Sequence, residues 1–192
     1  MSKLLWLDLE TTGLDPQKHE ILEVGCIITD ENFNAQSEFT SVVYPCSGGW
    51  IANMSPMARE MHEKNGLLKK IAEPENSLDP IGEVETKLIY WLQENGLFKD
   101  IILCGNSIHF DRGFIRQHMP HFYLMLHHRM IDVSSFKVLF NMRYNRGYHY
   151  PIPDATHRAL DDIKSSIDEM SFYCTAINVN LLSNDTIYEG KK

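Results

Sequence analysis

In the run LWLDLETTGLD at residues 4–14, Leu4, Leu5, Trp6, Leu7 and Leu9 argue for a buried strand, yet Asp8 and Glu10 stand inside it. An ionised carboxylate taken out of water is costly unless it is paired or bound to a cation. Side chains at i and i+2 of a strand share a face, so the two acids project together beside the turn at Gly13. Like charges this close raise each other's pKa, whereas a divalent cation stabilises both ionised forms. The chemistry that fits is cation binding; the competing reading is a pair of exposed carboxylates on an edge strand.

Two further segments supply matching groups. GNSIHFDRGFI at 105–115 places Asp111 just after an apolar run, where open α/β sheets present functional groups at strand ends. By itself Asp111 would read as a helix cap. THRALDDIKSS at 156–166 adds His157, Asp161 and Asp162 at the start of the last helix. Positions i and i+5 lie about 140° apart on a helix, so His157 and Asp162 converge only if His157 precedes the regular helix. Asp161 is the easier helical partner, and spacing alone leaves the choice open.

The elements that must position these groups follow from pattern and punctuation. Residues 3–9, 20–30 and 36–44 read as three strands with short connections, an antiparallel meander, with Val24, Cys26 and Ile28 on one face of the second. Ser55-Pro56 reads as an N-cap and first-turn proline for a helix to about Lys64. Asp79-Pro80 opens another helix, with Val84, Leu88, Trp91 and Leu92 on one stripe. A strand at 100–104, a helix at 111–118, a strand at 128–133 and a helix to about Met142, capped by Ser134 or Ser135, follow. Residues 143–156 read as a long loop of the kind that carries function. The last helix is expected over 158–177, with Leu160, Ile163, Ile167, Met170 and Cys174 inward. These imply an α/β domain with a mixed sheet, spanning 1–180, and a C-terminal tail at 181–192.

D-x-E on the first strand, Asp within GNSIxxDxxFI and H-x-x-x-x-D at the last helix together resemble the motif set of the DEDD exonucleases, histidine subclass. WLDLETTGLDP, GNSIHFDRGFI, HRMIDVSS and HRALDDIKSSI resemble, in order and spacing, the oligoribonuclease family over roughly residues 3–175. The resemblance implies a ribonuclease H-like fold, a mixed central β-sheet flanked by helices. It also implies two divalent ions, Mg²⁺ or Mn²⁺, held by Asp8, Glu10, Asp111 and Asp162. It selects Asp162 over Asp161 and makes His157 the general base. Imidazole, with an ordinary pKa of about 6.5, keeps a proton-accepting fraction at neutral pH. The activity implied is 3′→5′ hydrolysis of short oligoribonucleotides, down to dinucleotides, to nucleoside 5′-monophosphates. A broader exonuclease acting on single-stranded DNA or RNA ends, and a non-catalytic nucleic-acid-binding module, are the alternatives.

The same resemblance makes Leu14 a wedge between bases and puts Met57 where a tryptophan contacts the terminal base; Met offers less stacking area. Ser107, Arg129, Ser134 and Ser135 match a polar set that caps a 5′ phosphate, for which the planar Arg fork is suited. His128 stands where a tyrosine reaches into the neighbouring subunit, and a homodimer is expected on family grounds.

Bulk properties fit a soluble globular protein. The 192 residues suit one core, and the net charge of −8 divides unevenly. Residues 1–100 hold 8 Lys+Arg against 17 Asp+Glu, whereas residues 101–192 hold 10 against 9. That balance argues against long nonspecific nucleic-acid tracking and leaves room for one local anion site. No apolar run reaches the ~18 residues of a membrane span and no signal-peptide pattern opens the chain, so cytoplasmic residence is expected. Cys26, Cys46, Cys104 and Cys174 lack metal or disulfide spacing, and His118-x-x-His121 and His127-His128 lack that of a zinc site.

Overall fold

The computed structural model describes residues 3–73, 78–143, 150 and 157–183, with side chains through residue 177. Three strands come first, β1 (Leu4–Thr11), β2 (Ile21–Thr29) and β3 (Ala35–Tyr44). Helices α1 (Trp50–Asn53), α2 (Pro56–Lys64) and α3 (Leu67–Ala72) follow, then a two-residue strand β4 (Asp79–Pro80) and α4 (Ile81–Glu94). The second half contains β5 (Ile101–Gly105), α5 (His109–His118), α6 (Pro120–Tyr123), β6 (Leu126–Asp132), α7 (Val133–Arg143) and α8 (Ala159–Ser183).

The sheet is mixed, in the order β4-β3-β2-β1-β5-β6. β1–β2 and β2–β3 pair antiparallel, the expected meander, while β5 runs parallel to β1 and β6 parallel to β5. β1 and β2 are therefore central strands, with an apolar core on each face. Leu5, Leu7, Leu9, Val24, Cys26 and Ile28 pack with Val84, Leu88 and Phe114 on one side. Trp6 and Ile27 pack with Ile163, Ile167 and Met170 of α8 on the other. Strand alternation places Asp8 and Glu10 on the Trp6 side, toward α8.

Local chemistry explains most boundaries. Ser55 caps α2 by accepting from the Ala58 N–H at 3.2 Å, with Pro56 in the first turn. Asp79-Pro80 opens α4 as expected, without a side-chain cap hydrogen bond, and also pairs with Val43 and Tyr44 of β3. At the start of α7 the Ser134 N–H donates to Asp132 at 3.0 Å, so Asp132 does the capping expected of the serines. Helix α8 continues through Ser183, including the first three residues expected in the tail. The expected loop at 143–156 falls mostly outside the described residues, as does 184–192.

Candidate active site

β1 and α8 build an acidic cluster. Carboxylate oxygens of Asp8, Glu10 and Asp162 lie within 4.8 Å of one another. The sheet supplies Asp8 and Glu10, and Gly25 lets α8 come close enough to deliver Asp162. Gly25 is the cross-strand partner of Asp8, and a Cβ there would stand 2.6 Å from the Ala159 Cβ. No larger residue permits that approach.

Asp111 stands next to the cluster rather than in the three-acid group. It is 4% exposed, and its Oδ1 accepts from the Leu9 N–H at 3.0 Å, which ties the first turn of α5 to β1 between the two strand acids. After burial, its charge is the largest influence on Asp8. His157 lies two residues before α8, as convergence with Asp162 requires, and its imidazole is exposed. Its charge acts on Asp162, stabilising the ionised form. Asp161 points outward, exposed.

The acids are held far from their ordinary titration range. Burial, then the charges of Asp111, Glu10 and Asp162, pushes Asp8 well up. Burial followed by Asp162 and Glu23 pushes Glu10 up to about 8, against the pull of Arg158. Burial pushes Asp111 up to about 7, although its two backbone hydrogen bonds oppose the shift. Asp162 is raised by burial first, partly offset by His157. Crowded carboxylates that resist ionisation are a fitting donor set for a hard divalent cation, which favours oxygen ligands and reverses this electrostatic cost.

Several site residues escaped sequence reasoning. His62 of α2 is fully buried, with Nε2 at 2.9 Å from the Thr11 carbonyl and Nδ1 at 3.8 Å from Glu10 Oε2. A carbonyl only accepts, so Nε2 carries the proton; burial lowers the His62 pKa and favours the neutral ring. Glu23, 2% exposed, faces Glu10 across the β1–β2 pair and accepts from Arg158 Nε at 3.0 Å, from Arg158 Nη2 and from the Ala159 N–H at 3.3 Å. Glu23 carried the same signal as Asp8 and Glu10, an acid within an apolar strand. The helical pattern of α2 gave none for His62.

The residues expected to read substrate fall into two groups. Leu14, in the β1–β2 connection, and Met57, in the first turn of α2, are 77% and 80% exposed. Their elements meet at the end of β1, where the Ser55 N–H donates to the Thr12 carbonyl at 2.9 Å. Ser107 and Ser134 share one anchor: Asp132 Oδ1 accepts from the Ser107 N–H at 3.0 Å and from the Ser134 hydroxyl at 2.6 Å. Arg129 and His128 are exposed on edge strand β6, and Ser135 is exposed on α7. The other histidines have local partners: His118 meets the Pro16 carbonyl, His121 meets Glu85, and His127 stacks on His128. The cysteines are free thiols. Among the described residues, no helix is long and apolar enough to cross a membrane.

Comparison with known proteins agrees with this geometry. The RNase T exonuclease family matches residues 5–170. The mitochondrial oligoribonuclease of Mus musculus is 37% identical over 172 residues, covering 89% of this chain and 71% of that protein. The oligoribonuclease of Corynebacterium glutamicum (strain R) is 39% identical over 173 residues, covering 89% of this chain and 78% of that protein. Among solved structures, E. coli exonuclease I in complex with a dT13 oligonucleotide superposes with a TM-score of 0.68 at 15% identity, covering 97% of this chain. This chain spans 44% of that longer one, and the likeness establishes the ribonuclease H-like fold. The chain belongs to the exonuclease family and, within it, to the oligoribonucleases.

Proposed function

We infer that this protein is a metal-dependent 3′→5′ exoribonuclease that degrades short oligoribonucleotides, down to dinucleotides, to nucleoside 5′-monophosphates. The observation that carries the reading is the cluster of Asp8, Glu10 and Asp162 oxygens within 4.8 Å, with His157 acting on Asp162 from the adjoining turn. Asp8, Glu10 and Asp162, with Asp111 beside them, would hold Mg²⁺ or Mn²⁺. When bound, such ions would supply Lewis-acid stabilisation of the negative charge that develops in a phosphodiester displacement.

The chain's own residues do the rest. The exposed His157 imidazole accepts the proton of the attacking water. Attack at the terminal phosphodiester expels the 3′ oxygen of the preceding nucleotide and releases a nucleoside 5′-monophosphate. His62 donates to the Thr11 carbonyl and keeps the end of β1, with Glu10, in place. Leu14 and Met57 offer apolar surfaces to the bases. Ser107 and Ser134, fixed through Asp132, and Arg129 on β6 form the end that meets a 5′ phosphate. A closed end of that kind favours very short chains.

The test is Mn²⁺-dependent turnover of 5′-phosphorylated RNAs of two to seven nucleotides beside matched single-stranded DNA. A steep preference for the shortest RNA supports the reading. Flat length dependence, or faster cleavage of DNA, replaces it with a broader exonuclease role at the same acids.

A further inference from the structure

We propose that Asn65 and the Glu23–Arg158 pair are positioning residues that hold His157 in a left-handed backbone conformation at the edge of the acidic cluster. The proposal rests on the reading of His157 as the base. His157 has φ +51°, a region that residues with a Cβ enter only at an energetic cost. Such a conformation persists where the surroundings over-determine it, and it is found most often where function needs it.

The surroundings here are specific, and they hold the carbonyl of the residue and the two residues that follow it. Asn65 Nδ2 donates to the His157 carbonyl, reaching across from the end of α2. The next residue, Arg158, forks onto the buried Glu23, and the Ala159 N–H donates to the same carboxylate. Glu23 lies opposite Glu10 in the β1–β2 pair, so the grip on His157 is built on the strand that abuts the cluster. The close approach of Ala159 at Gly25 fixes the height of the helix start. Helix α2 thus serves both flanks, with His62 bonded beside Glu10 and Asn65 bonded to His157. The His157 side chain is exposed and buries little. Its backbone geometry therefore comes from these polar contacts and not from packing of its ring.

Asn65 allows a selective test because its two ends do different things. Oδ1 accepts from the Leu67 N–H at 3.0 Å and starts α3, while Nδ2 holds His157. Asn65→Asp retains the first contact and replaces the second donor with an oxygen. Turnover of a short 5′-phosphorylated RNA is measured at saturating Mn²⁺ for wild type, Asn65→Asp, Asn65→Ala, His157→Ala and the Asn65→Asp/His157→Ala double variant. The expected result is a kcat loss of about ten- to hundredfold in both Asn65 variants with KM unchanged. The double variant should be no slower than His157→Ala alone. Full kcat in Asn65→Asp, beside a crippled His157→Ala, overturns the positioning role and leaves the base assignment standing. A loss in Asn65→Asp that is absent from Asn65→Ala also overturns it, by assigning the effect to the new charge. Full kcat in His157→Ala overturns the base assignment, and the positioning proposal with it.

Discussion

Without metal, this fold should weaken as pH rises, against the usual expectation for a protein rich in carboxylates. Glu10 titrates near 8 in the folded chain against 4.5 as its ordinary value, so between these values the folded state holds a proton that the unfolded state has released. Stability from that proton is complete below pH 4.5 and is lost as pH climbs through 8. From pH 6 to 8.5, Glu10 alone removes about 2.5 kcal/mol. Asp8, Asp111 and Asp162 are raised as well and His62 is lowered, so each adds a pH dependence of its own, and the comparison is made against Glu10→Gln, which keeps them. Urea unfolding of EDTA-treated protein, followed by tryptophan fluorescence, should show the wild type losing about 2.5 kcal/mol more than the variant over that interval. Saturating Mn²⁺ should abolish the wild-type loss, because ligation selects the ionised acids. Metal-free stability that is flat or rising from pH 6 to 8.5, after subtraction of the variant, would refute the argument that burial and crowding keep Glu10 protonated.

Other expectations follow from single contacts. Gly25→Ala pushes a methyl into Ala159, so it should cost about 1–3 kcal/mol in urea unfolding and lower kcat as α8 shifts; an unchanged variant would mean that α8 does not need this approach. Arg158→Ala strands the buried Glu23 carboxylate and should destabilise by about 3 kcal/mol, with much of the loss recovered in Arg158→Met/Glu23→Gln; no recovery would show that the pair acts through packing instead of charge. Arg129→Ala should slow cleavage of a 5′-phosphorylated dinucleotide more than cleavage of a seven-nucleotide RNA, and equal losses would remove Arg129 from the phosphate-binding end.

The parts of the fold readable from sequence were those with strong periodicity or explicit punctuation. The meander, the Ser55-Pro56 start of α2 and the inward stripe of α8 belong to this group. Asp8 and Glu10 were conspicuous because a period-two strand puts both acids on one buried face. Short helices α1 and α3 gave no comparable signal, since a turn or two of helix is stabilised by tertiary packing rather than by its own pattern. Asp79-Pro80 announces the start of α4, but nothing local in it signals the additional pairing with β3. Asp111 could be placed near the site from its position after β5, but its bond to the Leu9 N–H, across 102 residues of sequence, depends on β5 lying beside β1. The same applies to Asp132, a strand-end acid whose role emerges when Ser107 and Ser134 are seen to share it.

The most direct test of the central claim is turnover of a 5′-phosphorylated dinucleotide by wild type and Asp162→Ala at saturating Mn²⁺, with product analysis and a folded-state check by circular dichroism. The account predicts nucleoside 5′-monophosphates from the wild type and turnover reduced by at least about 10³-fold in a variant that keeps its fold. Full turnover by folded Asp162→Ala would contradict the assignment of the Asp8–Glu10–Asp162 cluster as the metal-dependent catalytic centre.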